Sequence, residues 1–305
     1  MVKNILVKKA NGETEPFSTD KIKASLTRSG ADPAIIEEIL NDIAIWVEEQ
    51  NSNITANSTK TAKSAISTKQ IYNRAFSLLR RMTSSNAARY KLKSAMMEMG
   101  PTGHPFEHFM GQIYKTLGYE EIEVAQTLQG HCLTHEVDVV ATKSDGNGGH
   151  NQHVVECKYY QSNGKNAGVQ VSLYVHSRME DIFSYRKTLP EFRKYSFTGG
   201  VATNTRFSSD AIAYGEYAGL KLISWDYPKG EGLREIIDRE RIFPVTVLTT
   251  LTRAQKELLM DRGIVICRQL KEELVKNSVL LNELSLSNNK KRHLQNELNS
   301  LLSAS

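Results

Sequence analysis

Hydrophobic and polar positions change period several times along the chain, and each change marks an element. Ile5 to Lys9 is a short apolar run and predicts a strand, with Asn11-Gly12 as the turn and Glu15-Pro16-Phe17 as the return. Asp20 is placed to cap a helix beginning at Lys21-Ile22. From Pro33 to Glu49, Ile36, Ile39, Leu40, Ile43 and Val47 recur at helical spacing. From Thr68 to Arg81, Ile71, Phe76 and Leu79 do the same. The Ser/Thr/Asn-rich stretch 51–65 between them predicts a loop. A further helix over Asn86 to Met99 is broken by Gly100-Pro101-Thr102-Gly103, which sets the end of a first domain, 1–99.

A second pattern begins at Gly103. Phe106, Phe109, Met110, Ile113 and Leu117 lie on one helical face, and Gly118 ends that helix. Two Val-rich runs follow, 136–140 and 153–158, separated by the turn residues Lys143 to Gly149, and they predict an antiparallel hairpin with a long loop. A helix over 169–185, a strand over 197–205, a helix over 208–218 and a strand over 220–225 complete the unit. The expectation for 103–228 is a small mixed sheet flanked by helices. Residues 229–305 predict a helical extension. Its helices over 251–259 and 265–275 meet at Arg262-Gly263, as a helix-hairpin-helix-like DNA grip or as a helical cap. The Leu-spaced stretch 271–302 fits a terminal helix pair or an oligomer contact, and 301–305 is expected to fray. The fold class expected is α/β (α+β).

The hairpin carries the chemistry. Alternation on a strand puts Glu156 and Lys158 on one face, with Cα atoms about 7 Å apart. Asp138 on the partner strand reaches the same place. Two carboxylates and an amine then converge in a segment built to be buried, and a hard divalent cation, Mg²⁺ or Mn²⁺, neutralises such a set. A cross-strand salt bridge is the simpler alternative.

Composition narrows the setting. A formal net charge of +5 is compatible with a polyanionic partner. Three scattered cysteines, Cys132, Cys157 and Cys267, form neither a metal spacing nor a disulfide framework, which points to a reducing cytoplasm. No run of about 18 apolar residues occurs, so no membrane partner is expected, and the N-terminus is too short in apolar residues for a signal peptide. His104, His108, His131 and His135 follow no zinc spacing and read as surface or loop residues.

Asp138 with Glu156-Cys157-Lys158 resembles the D…E-x-K arrangement of the PD-(D/E)xK nucleases. The G-x-x-F-E…L-G-Y pattern from Gly103 to Tyr119 and the T-N-T-x-F-S…G-L-x-L-I-x-W pattern from Thr203 to Trp225 resemble the Mrr-like restriction endonucleases. The resemblance implies that Asp138 and Glu156 hold the metal with help from Glu107, and that Lys158 positions or deprotonates water. It also implies a polar helix residue facing the site: Gln170, with Ser172 and His176 as alternatives. His176, Arg178, Arg186 and Lys187 are candidates for DNA phosphate contacts.

The segment Leu6 to Ile22, with Ile66-Ser67-Thr68-Lys69-Gln70-Ile71 and Ala87-Ala88-Arg89-Tyr90, resembles the ATP-cone domain. That resemblance implies ATP or dATP as a regulatory ligand, Lys9 and Lys21 on its phosphates, and Glu15 and Thr68 at the nucleoside. Ala10 stands where that family has arginine. Taken together, the expectation is a cytoplasmic, homo-oligomeric, metal-dependent restriction endonuclease acting on double-stranded DNA under control of an adenine nucleotide. The rivals are a nucleotide-sensing DNA-binding regulator that does not cleave, and a repair nuclease acting on branched or damaged DNA.

Overall fold

The computed structural model describes residues 5–9, 12–56, 65–162, 164–276 and 278–303. The departure at Ala10 and the expected fraying of Ala304 and Ser305 lie outside the described residues, as does part of the loop expected over 51–65. The described residues of 1–92 and 247–250 form one compact unit, and those of 93–246 and 251–305 another.

In the first unit β1 (Leu6–Lys8) pairs antiparallel with β2 (Thr14–Pro16), Val7 opposite Glu15. α1 (Thr19–Arg28), α2 (Pro33–Ala56) and α3 (Thr68–Met82) follow, and α4 (Ser84–Met96) belongs to this unit as far as Leu92. Ser18, not Asp20, occupies the N-cap of α1, and Asp20 sits in the first turn, where its charge opposes the positive end of the helix dipole. α2 runs beyond Glu49 to Ala56, into the stretch whose composition predicts a loop. Ile54 packs against the core cluster of Leu26, Ile39, Ile43 and Leu79, so apolar burial overrides the weak helix propensity of Ser and Asn. α3 starts at a capping box: Ser67 accepts from Gln70 N, and the Gln70 side chain accepts from Ser67 N.

The second unit opens with α5 (His104–Thr116), followed by β3 (Glu121–Gln129), β4 (Thr134–Ser144) and β5 (His150–Lys158). Then come β6 (Asn166–Ala167), α6 (Val169–Arg186), β7 (Tyr195–Thr203), β8 (Arg206–Phe207), α7 (Ser209–Tyr217) and β9 (Lys221–Ile223). The main sheet has the order β3-β4-β5-β7-β9, antiparallel across its first three strands and parallel across the rest. It is the mixed sheet flanked by helices that the sequence predicts, although β3 is not singled out there. α5 buries Phe106, Phe109, Met110 and Ile113 against β3 and β4. Gly111 lets it approach closely, since a Cβ there would sit 3.2 Å from both Ile122 Cγ2 and Val124 Cγ2. α6 closes its side with Val175, Met179 and Ile182 in the core cluster of Val140, Val154 and Val201.

The rest of this unit is helical: α8 (Leu233–Glu240), α9 (Arg253–Asp261), α10 (Cys267–Lys276), α11 (Ser278–Glu283) and α12 (Asn288–Leu302). Thr252 and Gln255 form the capping box that starts α9. α10 packs on α11 and α12, burying Leu270, Leu294, Leu298 and Leu301.

Candidate active site

The sheet forks where the candidate residues lie. β4 and β5 pair from Ser144↔His150 up to Val139↔Val155, and there the ladder ends. Beyond that point β4 stays with β3 as far as Thr134, while β5 stays with β7 as far as Lys158↔Thr203. Asp138 and Glu156 are the next pair in register, so they stand at the crotch. The β3–β4 pairing also skips Asp138, opposite Ala125, whose φ of 55° is left-handed. The backbone N–H of Cys157, which a continued ladder would have used, donates instead to Asp138 Oδ2 at 2.6 Å. A carboxylate thus replaces a main-chain acceptor, and the fork satisfies its own freed donor.

Lys158 Nζ donates to Glu156 Oε1 at 2.6 Å, as the shared strand face requires. The second Glu156 oxygen accepts from Arg178 Nη1 at 2.5 Å. Arg178, on α6, also donates to the Glu136 carbonyl on β4, so one guanidinium bridges both arms of the fork. This is not the phosphate-facing arginine expected from the helix pattern, because Arg178 is buried. Its legible signal is a charge on the buried stripe of α6, between Val175 and Met179. Arg186 likewise turns inward, with Nη1 on Gln152 Oε1.

The charges are not balanced for every group. Burial, with the carboxylates of Glu156 and Glu107 adding to it, raises Asp138 to about 7; the Cys157 N–H and Lys158 oppose this incompletely. For Lys158 burial works downward, but the hydrogen bond and charge of Glu156 and the charge of Asp138 outweigh it and the pKa is raised. Lys158 is therefore a cation at neutral pH, suited to orienting water or holding phosphate and not to deprotonating.

Glu107 lies in the first turn of α5, near enough to affect Asp138 electrostatically, and its Oε2 lies 3.1 Å from His104 Nδ1. His104 Nε2 is in turn 3.2 Å from His108 Nε2. Burial and the neighbouring His104 hold His108 below the usual imidazole range. These two histidines are on a helix, not a loop. His104 is exposed, as a surface residue should be, whereas His135 is largely buried and its Nε2 lies 2.7 Å from Asp181 Oδ2. Gln170 is exposed in the first turn of α6, with no hydrogen bond to the carboxylates among the described residues. Ser172 is buried and donates to Ala211 O, and His176 Nδ1 meets the Tyr214 hydroxyl, so both are committed elsewhere.

The donor set decides whether these groups fit a divalent cation. Among the described residues, no three His, Cys, Asp or Glu side chains are arranged around one ion. Two carboxylates are, however, the usual protein share for Mg²⁺, with water and phosphate completing the octahedron. Asp138 Oδ1 accepts no hydrogen bond among the described residues, and the raised pKa marks a carboxylate short of positive charge. The set fits a hard cation, provided that Glu156 exchanges Lys158 or Arg178 for it.

In the first unit, Glu15 Oε2 lies 2.6 Å from Lys21 Nζ and 3.3 Å from Lys9 Nζ. The Lys21 hydrogen bond leads in holding Glu15 below the usual carboxylate range. Glu15, Lys21 and Thr68 line a cavity of about 230 Å³ together with Tyr72 and Tyr90, whose rings stack at 5.1 Å. Lys9 is tied to this cluster through Glu15. Tyr72, absent from the sequence expectation, follows Ile71 of the α3 stripe and shows no motif of its own.

Residues 99–226 match the family model of the Mrr-type catalytic domain, described as restriction endonuclease. Residues 243–302 match the model described as AF1548-like, C-terminal. Both matches lie beyond residue 98. An uncharacterized protein of Archaeoglobus fulgidus is 29% identical over 164 residues, 53% of this chain and 83% of the relative. The crystal structure of the protein of unknown function AF1548 is similar at 25% identity and a TM-score of 0.51, covering 66% of this chain and 98% of that one. The restriction endonuclease MspJI in complex with a 27-mer oligonucleotide is matched at 13% identity and a TM-score of 0.35, over 60% of this chain and 36% of its own. No helix among the described residues is long and apolar enough to cross a membrane.

Proposed function

We propose that this chain is a metal-dependent endonuclease acting on double-stranded DNA, with an adenine-nucleotide site in its first unit that regulates it. The observation that carries the reading is the fork between β4 and β5, where Asp138, Glu156 and Lys158 meet. The match of residues 99–226 to the restriction endonuclease model supports the same substrate class.

Asp138 and Glu156 would hold Mg²⁺ or Mn²⁺, with Glu107 reached through water. When bound, the cation polarises the scissile phosphodiester and lowers the pKa of water. Asp138 would bind the ion as the carboxylate, its proton passing to solvent. Lys158, a cation beside Glu156, orients the attacking water and stabilises charge on the phosphate oxygens. Arg178 fixes the Glu156 carboxylate against β4, so the two metal-facing strands keep their spacing. Gln170, exposed at the start of α6, is left to contact DNA or water. Basic side chains on the surface give an affinity that falls with salt.

In the first unit, Lys9 and Lys21 meet nucleotide phosphates, releasing Glu15 and Thr68 to the nucleoside, while the stacked Tyr72 and Tyr90 border the base. Nucleotide shifts the protein between homo-oligomeric states, and coupling to cleavage requires unequal nucleotide affinity for the two.

A second reading is a DNA-binding regulator without cleavage. It is favoured by one observation: both Glu156 oxygens are already held, by Lys158 and Arg178. Plasmid cleavage with Mg²⁺ or Mn²⁺, with and without ATP and dATP, separates the two. Nicking that disappears in Asp138→Ala and in Lys158→Ala is the expected result. DNA binding with no nicking on methylated, unmethylated or branched substrates would establish the regulator instead.

A further inference from the structure

We propose that His104 and His108 form a two-imidazole site for a late first-row transition ion of the zinc class, distinct from Asp138 and Glu156, with Glu107 standing between the two. The inference goes beyond the nuclease reading and does not depend on it.

Three observations converge on these residues. First, the spacing is i, i+4 on α5, which places two side chains one above the other on a single helix face, as helical zinc motifs require. Second, the ring nitrogens already converge. His104 Nε2 and His108 Nε2 are 3.2 Å apart, with the rings edge-on at 86°. Two nitrogens each about 2.05 Å from a tetrahedral ion stand about 3.3 Å apart. The side chains therefore hold the bite of a chelate; on binding, the Nε2 proton that His108 shares with His104 in this contact would pass to solvent or to Nδ1, and small rotations of the rings would turn both lone pairs onto one ion.

Third, the supporting shell is present. Glu107 Oε2 lies 3.1 Å from His104 Nδ1, so the carboxylate holds the ring proton on Nδ1 and leaves Nε2 as the donor to metal. A carboxylate behind a histidine is the usual arrangement in metal sites, and here it comes from the same helical turn.

The chemistry of the donors sets the class of ion. Imidazole favours zinc, copper, nickel and iron, whereas Mg²⁺ prefers oxygen. No third His, Cys, Asp or Glu is positioned for the same ion among the described residues, so water or a substrate oxygen fills the remaining positions. His104 is exposed, with 56% of its side chain accessible, and the site is open to such a ligand. Affinity in the micromolar range is expected, weaker than in closed structural sites.

The test is calorimetric titration of the untagged full-length protein with Zn²⁺, alongside Co²⁺ absorption in the visible range. We expect one ion per chain, with affinity reduced at least about tenfold in His104→Ala and in His108→Ala, and reduced in Glu107→Gln through loss of the orienting carboxylate. Asp138→Ala is expected to bind Zn²⁺ as the wild type does. Because His104 is exposed, His104→Ala decides the matter even if His108→Ala fails to fold. Binding that survives His104→Ala but is lost in Asp138→Ala would overturn the proposal and assign the ion to the carboxylates. No Zn²⁺ binding below ~1 mM would overturn it as well. Loss of Mg²⁺-dependent nicking in Asp138→Ala, with Zn²⁺ binding unchanged, tells the two sites apart.

Discussion

Asp138 is the residue at which stability and the proposed metal binding oppose each other. Its folded-state pKa of about 7 stands above the ordinary 3.8, so the folded chain holds this proton more tightly than the unfolded one. Stability from that proton is complete below about pH 4 and is lost as pH rises through about 7. Asp138→Asn removes the penalty. In the absence of metal it is expected to be more stable than the wild type at pH 8, by as much as about 4 kcal/mol, with little difference near pH 4. Urea denaturation at the two pH values checks this, and equal stability at pH 8 would contradict it. The same proton competes with the cation, so Mg²⁺ affinity and cleavage are expected to rise with pH up to about 7 and then level off. At Glu156 the opposite holds. Arg178→Ala leaves its carboxylate buried with one partner fewer, at an expected cost of about 3 kcal/mol or more in thermal unfolding. A double change to Glu156→Gln with Arg178→Met should cost less than the single one.

The elements around the fork depend on small residues and on caps. β7 crosses beneath α6 at Gly199, where a Cβ would lie 2.7 Å from Met179 Cγ and 3.0 Å from Leu220 Cδ2. Gly199→Ala is therefore expected to destabilise by about 1–3 kcal/mol, read from the denaturant midpoint, and to reduce any cleavage by shifting Arg178. In the first unit, Ser67→Ala removes the acceptor for Gln70 N at the start of α3 and should cost about 1 kcal/mol. The sequence shows most of these elements because their apolar positions keep the period of one structure. It misplaces the end of α2, since Ile54 is drawn to a core that composition does not reveal. It passes over β3, whose pattern of exposed and half-buried positions ends on a single buried residue, Leu128.

At the scale of the molecule, two compact units imply two sources of cooperativity. A nucleotide held at Glu15, Lys21 and Thr68 should raise the unfolding temperature of the first unit in proportion to the logarithm of its concentration. Differential scanning calorimetry with ATP is expected to move one transition and leave the other in place. Lys21→Ala should abolish the movement. If ATP shifts neither transition, the nucleotide reading of the first unit fails, while the nuclease reading of the second stands.

The sequence alone determined that a Val-rich hairpin carries Asp138, Glu156 and Lys158, because a strand's twofold alternation fixes which side chains share a face. It also determined the helix of Phe106, Phe109 and Ile113 ahead of that hairpin, through a period that only a helix satisfies. The parting of β4 and β5 beyond Val139↔Val155 belongs to the tertiary structure, since it depends on each strand keeping its other neighbour. So does the role of Arg178, which becomes the partner of Glu156 only when α6 is laid across the sheet. Periodicity acts between residues a few positions apart. The charge state of Asp138 depends on burial and on carboxylates 18 and 31 positions away in the chain, which only the packed fold brings within range.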